Sequence, residues 1–131
     1  MGVGVPFAVG AKIARPDRLV IAVCGDMGFA LTAMDMETAV RHKIPIIVVV
    51  ANNDGPMGAV TQKAFFSGYD ERVAMFQPDI RYEAIMGAFG GHMESVDRAE
   101  QLRPALERAV ASGQASCINV RVDPHAPYPS D

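Results

Sequence analysis

Two short polar stretches hold the residue types that can do chemistry, Gly25-Asp26-Met27-Gly28 and Asn52-Asn53-Asp54-Gly55. Asp26 brings a carboxylate and Asn53 a side-chain amide oxygen, and backbone carbonyls in such loops add a third kind of oxygen donor. These are hard ligands that suit Mg²⁺ or Ca²⁺. Mg²⁺ in particular takes few protein ligands and completes its octahedron with phosphate oxygens and water. The first stretch also opens a helical pattern, so the backbone N–H groups of Met27 and Gly28 can face an anion. Metal ligands, a helix start and glycines together make a diphosphate-binding site. Either stretch alone is an ordinary turn, because Asp and Asn are common turn formers after strands. Only the pair carries the argument.

Asp26 and Asn53 are 27 residues apart, so a defined fold must bring them together. Apolar runs rich in β-branched residues predict strands over 19–23 and 46–51, each buried on both faces. A short strand over 92–96 and a last one over 115–122 follow. Helices are expected over 7–14, 31–42, 80–89 and 99–111. The last is capped by Asp97 before it and Gly113 after it, and Gly90-Gly91 ends the one before. This alternation predicts an α/β domain with a parallel sheet, helices on both faces and right-handed crossovers. In such sheets ligands sit beyond the carboxyl ends of the strands, which is where both polar stretches fall.

Length and composition narrow the rest. The 131 residues fit one domain, expected over 1–123, with a Pro-rich tail over 124–131. Half the residues are hydrophobic, enough for a core. The net charge of −3 with no basic stripe argues against nucleic acid as a partner. No apolar run approaches the ~20 residues that span a bilayer, and no secretory signal is visible, so a cytoplasmic protein is expected. Cys24 and Cys117 form neither a disulfide framework nor a metal spacing, and Cys24 reads as inert core. Gly2, Gly4 and Gly10 lack the spacing and the preceding strand of a dinucleotide fingerprint. His42, His92 and His125 share no metal-ligand spacing, and His42 reads as a helix-end cap. Met57 and Phe65-Phe66 are candidates for an apolar wall facing a substrate, or for plain packing. The abrupt Gly-rich start, with no strand before it, suggests part of a larger protein.

Gly25-Asp26-Met27, then about two dozen residues, then Asn52-Asn53, resembles the cofactor signature of thiamine-diphosphate-dependent enzymes. The opening segment from Met1 to Lys12 is similar to the lead-in of acetolactate-synthase-like and 2-hydroxyacyl-CoA-lyase-like members. So is Met36-Glu37-Thr38-Ala39-Val40-Arg41, followed by Ile44-Pro45, between the two halves.

The resemblance implies thiamine diphosphate and Mg²⁺ as cofactors and the family's diphosphate-binding fold, present as a partial domain truncated at its N-terminal side. Asp26 and Asn53 match the side-chain Mg²⁺ ligands, and Gly55 matches the position giving a backbone carbonyl. Gly25, Met27 and Gly28 match residues lying along the diphosphate. Met1 falls where the family places an apolar residue under the bend of the cofactor. Met27, where relatives often carry Gly, and Asp54-Gly55-Pro56-Met57-Gly58 depart from the common pattern. The second departure leaves the substrate open.

The implied activity is C–C bond cleavage or formation on 2-hydroxyacyl-CoA or 2-oxo acids, with homo-oligomers as the usual state. The alternatives are an acetolactate-synthase-type transferase and a non-catalytic module that binds Mg²⁺ and a diphosphate. A receiver-like regulator would need clustered acidic residues after the first strand, and only Asp26 is there. The family's activating glutamate lies on a pyrimidine-binding domain that this chain does not match. Glu37 is the one tempting substitute, and mid-helix it reads as structural. No catalytic residue is therefore assigned within the chain, which is expected to be inactive alone.

Overall fold

The computed structural model describes residues 1–56, 68 and 75–126. The elements run α1 (Gly4–Ala14), β1 (Ile21–Gly25), α2 (Asp26–Ala30), α3 (Asp35–Arg41) and β2 (Ile47–Asn52), then α4 (Tyr82–Phe89), β3 (His92–Val96), α5 (Ala99–Ser112) and β4 (Ser116–Arg121). The four strands form one parallel sheet in the order β1-β2-β4-β3. Met57 and Phe65-Phe66 lie outside the described residues, as does the tail from residue 127 on.

Alternation along β2 divides the core. Val48 and Val50 face a cluster built with Val5 and Ala8 of α1, Phe29 of α2, Met36 and Ala39 of α3, and Tyr82 and Met86 of α4. Ile47 and Val49 face the other side, where Ile118 and Val96 meet Ala105 and Ala109 of α5. Helices thus lie on both faces, as the pattern requires. Phe29 is fully buried and meets Tyr82 edge-on, with ring centroids 5.8 Å apart.

Several boundaries differ from the sequence expectation. Helix α1 begins at Gly4 because Pro6 falls in its first turn, where a missing N–H costs nothing. Strand β1 lies two residues later than 19–23, in the register that pairs Ile21 with Ile47 and Gly25 with Ala51. Nor is it buried on both faces: Ile21 is 43% and Val23 72% exposed, because α5 packs on β3 and β4 and leaves this end of the sheet open. The helix expected over 31–42 starts only at Asp35, and Lys43, with φ +53°, takes the left-handed turn that ends it. At the start of α5 it is Gln101, not Asp97, that does the capping. Its Oε1 accepts the backbone N–H groups of Asp97 and Arg98 at 2.9 and 3.1 Å. Gly90 and Gly113 end α4 and α5 with φ +83° and +63°, as their positions suggest.

On the α5 face, Glu94 of β3 accepts a two-pronged hydrogen bond from Arg108, both prongs 2.8 Å, and contacts the His92 ring nitrogen Nε2 at 2.9 Å. The guanidinium beside it holds the Glu94 carboxyl below its ordinary range. A lowered folded-state pKa stabilises the fold above the ordinary carboxylate pKa, and the stabilisation is lost as pH falls through the folded value. Glu94→Gln is therefore expected to lower Tm at neutral pH, and the gap to wild type should close as pH falls below the ordinary carboxylate range. Thermal melts of both proteins across that range check it.

Candidate functional site

The sheet's carboxyl edge builds a cleft of about 450 Å³. Met1, Gly25, Asp26, Met27, Gly28, Asn53 and Gly55 all line it. The parallel pairing of β1 with β2 makes this possible, because it sets the end of one strand beside the end of the other.

No loop separates β1 from α2. The chain passes from Gly25, in extended geometry, straight into a helix whose first residue is Asp26. An acidic residue there is favoured by the partial positive charge of the helix start. Asp26 is 1% exposed, yet it lines the cleft. Oδ1 accepts the Met27 N–H at 2.6 Å and Oδ2 the Gly55 N–H at 2.8 Å. The second bond ties the two polar stretches together across 29 residues of chain. Burial pushes the Asp26 carboxyl up, and backbone N–H groups of Met27, Gly55 and Asn53 pull it back. The Met27 N–H, expected to face an anion, is thus taken by Asp26 itself.

The two asparagines divide the work by alternation, since consecutive side chains at a strand end point to opposite sides. Asn53 borders the cleft. Asn52 turns inward, where its Nδ2 donates to the Ile80 carbonyl at 3.1 Å and its Oδ1 accepts the Asp54 N–H at 3.2 Å. Asn119 of β4 donates to the same carbonyl at 3.2 Å and to Glu83 at 2.9 Å. The loop after β2 is thereby anchored to the start of α4 through buried polar groups. Asn119 and Glu83 were not singled out from sequence. An isolated Asn inside the apolar run of β4 was the available signal.

Tyr82 shares this underside, and its phenol is pushed up to about 12 by burial and by the charges of Asp26 and Asp54. It stays protonated throughout the neutral range. Cys24 floors the cleft, half-buried, with its thiol pushed up by desolvation. A Cβ on Gly4 or Gly28 would sit 3.6 or 3.7 Å from the Cys24 side chain. A Cβ on Gly25 would meet nothing and project into open space. Met1 is 87% exposed at the cleft. None of the three histidines lines it. Glu37 lies on the surface of α3, paired with Arg41 at 3.0 Å.

The donor set is a carboxylate, an amide oxygen and loop backbone. Among the described residues there is no group of three or more His, Cys, Asp or Glu side chains able to hold a metal. A cation here would therefore keep most of its shell for other oxygens, which suits Mg²⁺ bound together with phosphate groups. The open side at Gly25 leaves room for them.

Comparison with known proteins bears on the family. The family model described as "Thiamine pyrophosphate enzyme, C-terminal TPP binding domain" matches residues 1–120. The 2-hydroxyacyl-CoA lyase of Oryza sativa subsp. japonica is 40% identical over 130 residues, covering 96% of this chain and 22% of the relative. The acetolactate synthase large subunit of Mycobacterium tuberculosis is also 40% identical, over 98% of this chain and 23% of the relative. A solved structure, the Rhodococcus jostii RHA1 thiamine diphosphate-dependent 4-hydroxybenzoylformate decarboxylase, superposes with a TM-score of 0.79 at 30% identity, covering 94% of this chain and 23% of that one. The chain thus spans under a quarter of the length of these relatives. Among the described residues no helix is long and apolar enough to cross a membrane.

Proposed function

The chain belongs to the thiamine pyrophosphate enzyme family, whose C-terminal TPP binding domain it matches, and on that premise we propose that it is the thiamine-diphosphate- and Mg²⁺-binding part of a C–C lyase or carboligase. The observation that carries this reading is the joining of Asp26 to Gly55 at 2.8 Å beside Asn53 in one cleft. Asp26 and Asn53 are the side-chain Mg²⁺ ligands in this reading, with the Gly55 carbonyl as the third protein ligand. Gly25, Met27 and Gly28 lie along the diphosphate, and Met1 supports the bent cofactor.

When bound, thiamine diphosphate supplies a nucleophilic carbon and an electron sink, and the protein supplies binding and orientation. Asp26 offsets part of the cation's charge, and each of its oxygens has a lone pair left after accepting its backbone N–H. Gly25 admits the phosphate groups because it has no side chain there. The Asn52 and Asn119 anchors hold the loop so that Asn53 and Gly55 keep their places without rearrangement. Tyr82 keeps its proton and adds no further negative charge beneath a diphosphate.

Asn53→Ala in the intact protein is expected to weaken Mg²⁺-dependent cofactor binding by at least the roughly 10- to 100-fold seen when a group supporting a metal ligand is lost. Asp26→Ala should weaken it more, since an amide dipole is lost in one case and a full charge in the other. Calorimetric titration of both variants with thiamine diphosphate at fixed Mg²⁺ gives the ranking. The reverse order would mean the ligands are misassigned.

The substrate follows from the relatives only as a pair of choices. The rice lyase and the mycobacterial synthase match this chain equally, at 40% identity. The proposed substrates are accordingly 2-hydroxyacyl-CoA for cleavage or 2-oxo acids for an acetolactate-synthase-type transfer. Product analysis with each substrate separates the two. The proposal also includes a pyrimidine-binding domain as partner and a cytoplasmic homo-oligomer as the working form.

A further inference from the structure

Arg121, the last residue of β4, stands between two carboxylates. Its Nη2 is 2.8 Å from Asp79 Oδ1 and 3.5 Å from Asp54 Oδ2. These come from different segments: Asp54 follows the Asn52-Asn53 pair, and Asp79 lies in the turn before α4. Register explains the reach, because Arg121 pairs with Asn52 across the sheet, two residues from Asp54. Both aspartates have left-handed backbones, with φ +59° and +62°. Asp tolerates that region better than most residues, but the conformation must still be held by its surroundings. A backbone bond fixes the same corner, with the Phe76 N–H donating to the Asp54 carbonyl at 2.9 Å.

Asp54 is 9% exposed. Its Oδ1 is buried with no hydrogen-bond partner among the described residues, and among these its Oδ2 has only the long contact to Arg121. A buried carboxylate that loses its counter-charge is strongly destabilised and moves toward water if it can. Asp54 cannot move without Gly55, whose N–H is bonded to Asp26. The charge of Asp54 is also felt at Asp26, where it disfavours ionisation.

Resting on the functional reading above, we infer that Arg121 is a positioning residue: by pairing with Asp54 and Asp79 it clamps the loop carrying Asn53 and Gly55 onto Asp26. It touches neither cation nor cofactor in this role. It keeps Asp54 from dragging Gly55 away. An electrostatic clamp differs from mere packing in one respect. Removing both charges together must cost less than the sum of removing each alone.

The test is a double-mutant cycle in the intact protein with Arg121→Gln, Asp54→Asn and the pair, plus Arg121→Lys. Two readouts are taken: amide hydrogen exchange of Gly55 without cofactor, and Mg²⁺-dependent binding of thiamine diphosphate by calorimetry. Arg121→Gln should speed Gly55 exchange and weaken binding about 10-fold, the scale of a supporting group near a metal. Arg121→Lys should recover part of both, and the double variant should lose less than the two single variants together. Wild-type exchange and affinity in Arg121→Gln would overturn the clamp, and so would tighter binding, which would mean that Asp54 becomes a ligand once released. A double variant impaired by the full sum of the two single losses would assign Arg121 to packing and overturn it equally. If the wild-type protein binds no thiamine diphosphate, the functional reading fails, while Gly55 exchange still decides the clamp.

Discussion

Asp26→Ala in the intact protein is expected to abolish Mg²⁺-dependent binding of thiamine diphosphate, with an affinity loss well beyond 100-fold. Loss of a group that merely supports a metal ligand already costs about 10- to 100-fold. Asp26 is the only carboxylate in the proposed ligand set. Its removal also frees the Gly55 N–H and the Met27 N–H, the two donors that now converge on it. The loop after β2 thereby loses its direct tie to the end of β1. Charge and positioning fail together, and this is why the effect should exceed that of Asn53→Ala. Calorimetry on a variant whose Tm shows it folded gives the answer. Retained affinity would remove Asp26 from the ligand set.

The second large effect concerns the chain by itself. A purified 131-residue protein is expected to show no lyase or carboligase turnover with saturating thiamine diphosphate and Mg²⁺. Activation of the cofactor needs an acid at its pyrimidine ring, and three of the described glutamates are engaged elsewhere. Glu37 is on the surface with Arg41, Glu83 is buried against Asn119, and Glu94 is held by Arg108 on the α5 face. Asp26 has its own role in the ligand set. The cleft also lies open at Met1 and Val23, so water would weaken any electrostatic help given to a developing charge. Adding a separately expressed pyrimidine-binding domain should restore measurable turnover. Turnover by the chain alone would place the activating acid within it, with Glu37 the first residue to test.

How much of this was legible beforehand differs by kind of feature. The parallel α/β architecture followed from the β-branched runs and the helical periodicity, and the left-handed caps at Gly90 and Gly113 followed from residue type. The convergence of Asp26 with Asn53 needed only one strand–helix–strand unit, so spacing alone sufficed to expect it. The anchors were not legible. Glu83, Asn119 and Arg121 act across 36 to 67 residues of chain, as in Asn119–Glu83 and Arg121–Asp54, and no local pattern encodes such pairs. The expected burial of β1 on both faces failed for a related reason. A run of β-branched residues reports what a strand can bury against, and not which neighbour is there to cover it. The zero-length passage from Gly25 to Asp26 was also hidden, because glycine and aspartate together read as a turn.

The cleft is proposed to hold thiamine diphosphate through Mg²⁺ on Asp26, Asn53 and Gly55. Calorimetric titration of the intact protein with thiamine diphosphate, once with Mg²⁺ and once with the metal chelated, tests it most directly. Saturable one-site binding with Mg²⁺, and its near-complete loss on chelation, is the expected result. Equal affinity in both conditions, or no binding with Mg²⁺ present, would contradict it.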